Sequence, residues 1–289
     1  MLQSLKRLMF AVLLGTVVAP MAQAAERSIN IGWTAWSDAE AVTRLVKTIL
    51  ERRMGYQVKL TLADIALQYN GIARRDLDVM LMSWLPDTHA DYLKRVGDDV
   101  VNLGVLYTGA RLGWVVPEYV PRDQISSIED LRKPAVRDKL RGRVQGIDPG
   151  AGLMRVSKNA VEAYGLDDYE LVSASGAGMT AALARAVRRH RWIVVTGWSP
   201  HWMFGAWKLR YLNDPKGSLG GLERIHAIAR KGFYRDHPDA AAMIARLWIP
   251  LGDLEAMMYA AQGTSYQDAV EAYIEANGKR IAYWVTGKL

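Results

Sequence analysis

Three tryptophans of this 289-residue chain stand where a folded α/β protein presents side chains to a ligand: Trp36 in GWTAWSDAE, Trp84 in MSWLPDTH and Trp198 in VVTGWSPHWMF. Each follows a short apolar, strand-like run and precedes a polar or helix-like stretch. Segments of that kind lie outside the carboxyl ends of the strands in an open α/β sheet, where ligands bind. An indole face combines apolar contact with negative electrostatic potential. Three converging faces suit a cation that has no N–H to donate, such as a quaternary ammonium. A buried carboxylate partner for that cation carries a desolvation cost that often cancels the Coulomb gain. Each indole face contributes roughly 0.5–2 kcal/mol instead. Three faces with methyl burial reach the roughly 8 kcal/mol of micromolar binding. Taken singly, each tryptophan reads more readily as core or lobe packing. The shared strand-end position is what sets the three apart.

A second candidate is the glycine-punctuated turn Gly146-Ile147-Asp148-Pro149-Gly150-Ala151-Gly152-Leu153-Met154, between a strand-like and a helix-like stretch. Glycines let a backbone approach a ligand closely, and the free N–H groups of a helix start attract anions. Neither the Gly-Lys-Ser/Thr of a phosphate loop nor a GxGxxG dinucleotide turn is present, so a small carboxylate fits better. His89 lies five residues after Trp84 and His201 three after Trp198, and either ring can donate a hydrogen bond to a carboxylate. A cap or surface role is the plainer reading of a lone histidine. No HExxH, no His pair at helical spacing and no GxSxG elbow occurs, so neither a metal centre nor a serine hydrolase is indicated. Asp38, Asp87 and Asp148 lie near the same loops, where helix-start and turn roles account for them.

The elements that must position these residues follow from periodicity. Residues 28–33 read as a strand, 38–54 as a helix with Ala41, Val42, Leu45, Val46, Ile49 and Leu50 at helical spacing, and 56–62 as a strand. A short helix over 67–73 and a buried strand over 79–82 complete a strand–helix–strand–helix–strand unit of parallel type. A strand pair is expected around 104–117 and a helix start at 126–131. A second unit follows: strand 143–147, turn 148–152, helix 153–164, strand 169–173, helix 177–189 and strand 192–196. The chain then returns through 224–231 to helices over 236–262 and 266–286.

Half the residues are hydrophobic and 23% are charged, which suits a large soluble core. The absence of cysteine excludes disulfides, thiolate catalysis and a lipidated N-terminal cysteine. Residues 1–24 read as a signal peptide: Lys6 and Arg7, an apolar run over 8–18, then Ala22-Gln23-Ala24. A retained N-terminal anchor is the weaker reading, because polar sequence follows at once. The net charge of +7 falls to about +5 without Lys6 and Arg7. The run Arg185-Ala186-Val187-Arg188-Arg189-His190-Arg191 is read as a solvated helix end, whose dipole favours cations, rather than a nucleic-acid surface.

Together these segments resemble the substrate-binding proteins of ABC importers for glycine betaine and related compatible solutes. The resemblance covers nearly the whole mature chain. SWLPDTH (83–89), GIDPGAGLM (146–154) and TGWSPHWMF (196–204) carry it most specifically, and LRYLNDP and IHAIARKGF follow in the family's order. It implies a two-lobed, type II periplasmic-binding α/β fold, each lobe a mostly parallel sheet flanked by helices, with the ligand cleft between. The lobes would be 25–116 and 117–222, with 223–289 returning to the first. Relatives with permuted lobe order exist; here the Trp36 and Trp84 lobe comes first.

The resemblance further implies a trimethylammonium box of Trp36, Trp84 and Trp198. Carboxylate contacts would come from the backbone N–H groups of Gly152 and Leu153 and from His89. Trp33 is held as the alternative to Trp36. Choline-preferring relatives look to place an Asp two residues after a first Trp; counted from Trp33 that position is Ala35, which favours a carboxylated ligand. After Arg111 stands Leu112 rather than an aromatic, so no fourth wall is evident there. The expected protein is a monomeric periplasmic receptor without cofactor or metal, working with a membrane permease and its cytoplasmic ATPase. Carnitine or choline is the alternative ligand, and an exported hydrolase or a sensor module the alternative function.

Overall fold

The structure is a computed structural model and describes residues 27–289. The signal peptide expected over 1–24 lies outside the described residues. The first unit runs β1 (Ser28–Trp33), α1 (Ser37–Met54), β2 (Gln57–Leu62), α2 (Ile65–Ala73), β3 (Val79–Leu85) and α3 (Ala90–Val96). β4 (Val100–Pro117) then leads to α4 (Pro134–Leu140), β5 (Arg143–Gln145), α5 (Gly152–Ala163), β6 (Glu170–Val172), α6 (Gly176–Arg188), β7 (Val195–Ser199), α7 (Met203–Ala206) and β8 (Leu209–Tyr211). β9 (Leu222–Arg230) turns back toward the first unit. It is followed by α8 (Phe233–Asp236), α9 (Pro238–Arg246), α10 (Leu251–Ala260), α11 (Tyr266–Ala276) and α12 (Gly278–Thr286).

α1 shows why the local elements form. Its apolar residues recur every three to four positions and are fully buried from Ala41 to Leu50. Asp38 and Glu40 stand at its positive end, and Arg52 and Arg53 at its negative end. Gly55, at φ 70°, ends it in the left-handed conformation that glycine adopts without a Cβ clash. α10, α11 and α12 pack on α1 and enclose the first lobe's core.

One continuous sheet carries both lobes, in the order β2-β1-β3-β9-β4-β7-β5-β6, with β8 paired to β4. The pairs β1–β2, β1–β3, β5–β6 and β5–β7 are parallel, as the two repeated units require. Between them β9 and β4 run antiparallel to their neighbours. These two strands are the passages between the lobes. A second core, separate from that under α1, surrounds the fully buried Trp114, with Ile128, Leu131, Val144 and Leu166.

Three element expectations change. The strand pair expected over 104–117 is one strand, β4, whose register with β9 slips at Asn102/Gly104, Val105/Tyr107 and Thr108/Ala110. The Thr-Gly-Ala stretch that resembles a hairpin turn is a bulge, with Gly109 at φ 81°. The helix expected over 236–262 is instead α9 and α10, with α8 ending before it at Asp236: His237 leaves helical geometry ahead of Pro238, and the chain is extended from Leu247 to Pro250. The helix expected over 266–286 divides at Asn277 into α11 and α12.

Candidate functional site

Each predicted tryptophan is delivered by the end of a strand or the start of a helix. Trp36 is the N-cap residue of α1, reached from β1 through Thr34 and Ala35. Trp84 is the penultimate residue of β3 and Trp198 that of β7. The three side chains come from both lobes and line one cavity. Trp36 is 8% exposed, Trp84 3% and Trp198 3%, so the rings are almost wholly withdrawn from solvent. The same cavity is lined by Thr88, His89, Leu112, Ile147, Ala151, Gly152 and Leu153. Leu112, passed over as a wall for want of an aromatic ring, supplies an aliphatic one.

Trp33 and His201 are not brought to this cavity. Trp33 is the last residue of β1, and the guanidinium of Arg44 lies 5.7 Å from its ring centroid. His201 lies behind Trp198, edge to face at 4.5 Å, and its Nδ1 accepts the Met203 N–H at 3.0 Å. It buttresses the ring and does not line the cavity.

His89 is fully buried between Trp36, Tyr69 and Tyr92. Its Nδ1 accepts the backbone N–H of Trp84 at 3.0 Å, and its own backbone N–H donates to the Trp84 carbonyl at 2.9 Å. With Nδ1 accepting, the neutral ring carries its proton on Nε2, the nitrogen left for a ligand. Burial, then the positive charge of Arg155, pushes the imidazolium down to a pKa of about 3. The ring is therefore a neutral donor throughout the physiological range.

α5 begins at Gly152, with Ala151 as N-cap. Its first turn presents N–H groups that the helix cannot satisfy. Among the described residues, the N–H groups of Gly152 and Leu153 meet no protein acceptor, whereas those of Met154 and Arg155 bond to Ala151. Two donors at the positive end of a 12-residue helix make an acceptor site for one carboxylate. The glycine is required sterically. A Cβ at Gly152 would lie 2.3 Å from Thr88 Cγ2 and 3.0 Å from the Thr88 carbonyl oxygen, across the cleft.

Other hydrogen bonds surround the cavity, and all but Tyr107–Asp38 join the lobes. Trp36 Nε1 donates to Asp148 Oδ2 at 3.0 Å, and Trp198 Nε1 donates to Asp38 Oδ1 at 2.9 Å. Tyr107 Oη donates to Asp38 Oδ2 at 2.6 Å. Arg155 donates to the Thr88 carbonyl at 3.0 Å, and Tyr92 Oη to the Gly150 carbonyl at 3.1 Å. Helix-start and turn roles therefore do not exhaust Asp38 and Asp148. Each carboxylate holds the indole N–H of a tryptophan from the other lobe. Buried Glu223 on β9 is another residue without a sequence signal. It accepts the N–H groups of Asp87 and Thr88 and the Thr88 hydroxyl, and so sets the loop that carries His89.

Comparison with known proteins places this geometry. A family model described as the substrate binding domain of ABC-type glycine betaine transport systems matches residues 27–276. The glycine betaine/carnitine transport binding protein GbuC of Listeria monocytogenes serotype 1/2a (strain 10403S) is 37% identical over 158 residues. That match covers 54% of this chain and 53% of the Listeria protein, so it spans about half of each. The closed, liganded lactococcal OpuAC complexed with glycine betaine superposes with a TM-score of 0.83 at 34% identity, covering 90% of this chain and 100% of that one. An ABC-transporter choline binding protein in complex with choline gives a TM-score of 0.82 at 26% identity, covering 91% and 92%.

Proposed function

The chain belongs to the family of substrate-binding domains of ABC-type glycine betaine transport systems, and from that premise we propose that it captures glycine betaine or a closely related betaine outside the cytoplasm and delivers it to a membrane permease driven by a cytoplasmic ATPase. Its two-lobed α/β architecture is that of the type II periplasmic-binding proteins. Its relatives are solute-binding proteins of transporters, not enzymes. In this reading the lobes are residues 25–116 and 117–222, the segment 223–289 completes the first lobe, and residues 1–24 direct export.

One observation carries the reading. Three almost fully buried indoles from two lobes line a single cavity that is also lined by the α5 N-terminus and a neutral histidine. The indole faces take the trimethylammonium group, which has no N–H and spreads its charge over methyls. The N–H groups of Gly152 and Leu153 and Nε2–H of His89 take the carboxylate. Binding at this seam favours lobe closure, because each end of the ligand is held by groups from both lobes: Trp36 and Trp84 with Trp198, and His89 with Gly152 and Leu153. The closed form is what the permease receives.

The choline complex of a relative raises a second reading. A hydroxyl offers less to three donors than a carboxylate does, and unmatched buried donors weaken binding. A calorimetric panel of glycine betaine, proline betaine, carnitine and choline decides between them. We expect tightest binding for a betaine and weaker binding for choline. Choline binding more tightly than every carboxylated ligand would overturn the betaine assignment, and no heat with any of the four would overturn the functional reading.

A further inference from the structure

Asp38 is fully buried and, among the described residues, forms no ion pair. Buried carboxylates are ordinarily paired with a cation, because an unpaired charge in a dry interior is costly. Here both oxygens accept hydrogen bonds from neutral groups, Trp198 Nε1 and Tyr107 Oη. Neutral donors ease the charge without cancelling it. Trp198 also presents its ring to the cavity, so the indole stands between the carboxylate and the space proposed for the ligand.

We infer that Asp38 is a positioning and specificity residue for the onium group: it holds the Trp198 ring in place across the cleft, and its carboxylate, acting through the indole N–H, deepens the negative potential of the ring toward a positive ligand. The inference rests on the betaine reading and adds to it the source of the missing counter-charge. A direct carboxylate–onium contact would require stripping water from both ions. A carboxylate behind an indole lets the ring face meet the methyl groups while the charge remains within Coulomb range in a dry site. The arrangement is mirrored on a smaller scale at Trp36, whose N–H meets the partly buried Asp148 of the other lobe.

Geometry and charge can be separated by substitution. In Asp38→Asn the amide oxygen still accepts from Trp198, and the amide nitrogen can donate to Tyr107 Oη, which rotates to accept. The fold and ring position stay and the charge goes. The probes are glycine betaine and its carbon isostere 3,3-dimethylbutanoate, which has the same shape and carboxylate but an uncharged head. Calorimetry on the full mature chain should show Asp38→Asn losing about tenfold or more in betaine affinity while the isostere changes by less than about twofold. Asp148→Asn should show the same selectivity with a smaller loss. Equal losses for both ligands, or no loss for either, would overturn the inference while leaving betaine binding intact. Failure of the unsubstituted chain to bind betaine would instead sink the functional reading, and this inference with it. If Asp38→Asn does not fold, Tyr107→Phe carries the test. It keeps the charge and removes one neutral donor, so the preference for betaine over the isostere should be retained or increased; a reduced preference would overturn the role of charge.

Discussion

At the scale of single residues, the site divides its work by chemistry. In the proposed reading Trp84 offers a face to the cation, and its backbone is bonded twice to His89. Trp84→Ala removes the face and opens a void, and should weaken betaine binding by about 1–3 kcal/mol, roughly 5- to 150-fold, by calorimetry. Trp33→Ala, outside the cavity, should change the affinity little, and an equal loss there would show that the wrong tryptophan has been assigned to the box. His89 Nδ1 props the Trp84 loop, and in the proposed reading Nε2–H serves the ligand. Because burial holds its pKa near 3, the donor does not titrate across the neutral range. The ring should accordingly add no inflection to betaine affinity at the ordinary histidine pKa, measured in Asp38→Asn, which lacks the other buried titratable group beside the site. A loss of affinity on acidification through about 6.5 in that variant would mean that the ring is not the neutral donor described.

At the scale of elements, the site depends on close approach between the start of α5 and the loop after β3. Gly152 has no room for a side-chain carbon: Thr88 Cγ2 would be 2.3 Å away. Gly150, two residues earlier, has open space around the same position. Gly152→Ala should therefore obstruct closure and lower betaine affinity by about 2 kcal/mol or more, with the circular dichroism spectrum unchanged. Gly150→Ala should bind as the parent does. Equal affinity in the two variants would show that the lobes do not need this approach. The element is also where the sequence was legible to different degrees. The βαβ rhythm and the helical spacing of α1 were readable, because one buried face imposes a period. The breaks at Leu247 to Pro250 and at Asn277 were not, because both flanking segments keep an apolar face and only the packing around α1 decides where the chain turns.

At the scale of the whole molecule, two buried histidines couple the fold to pH. His89 and His201 both have pKa values held at about 3 by burial. Each is neutral in the fold and protonates near 6.5 in the unfolded chain. The unfolded state thus binds more protons between those values. Stability from these groups is complete above about 6.5 and is lost as pH falls toward 3, by several kcal/mol for the pair. Asp38 works in the opposite direction. Burial raises its carboxyl above the ordinary aspartate range, against the hydrogen bonds from Tyr107 and Trp198, so that group favours the fold more at low pH. With two histidines against one carboxyl, thermal melts from pH 7 to 4 should show a falling midpoint, and His201→Asn should flatten the slope. A midpoint independent of pH over that range would contradict the buried neutral rings.

The sequence alone determined the alternation of strands and helices, the glycine turn that starts α5, and that Trp84 and Trp198 stand at strand ends, because burial of one face and local turn chemistry act over a few residues. It left Trp33 and Trp36 as alternatives, and it read Asp38 and Asp148 as local features. Only the tertiary structure decided those points. Trp33 ends a strand beside Arg44, while Trp36 caps α1 at the cleft. Asp38 meets Trp198 across 160 residues of chain and Asp148 meets Trp36 across 112. No spacing rule reaches over such separations. The partners are set by how two lobes close on one another, and that depends on the packing of the molecule as a whole.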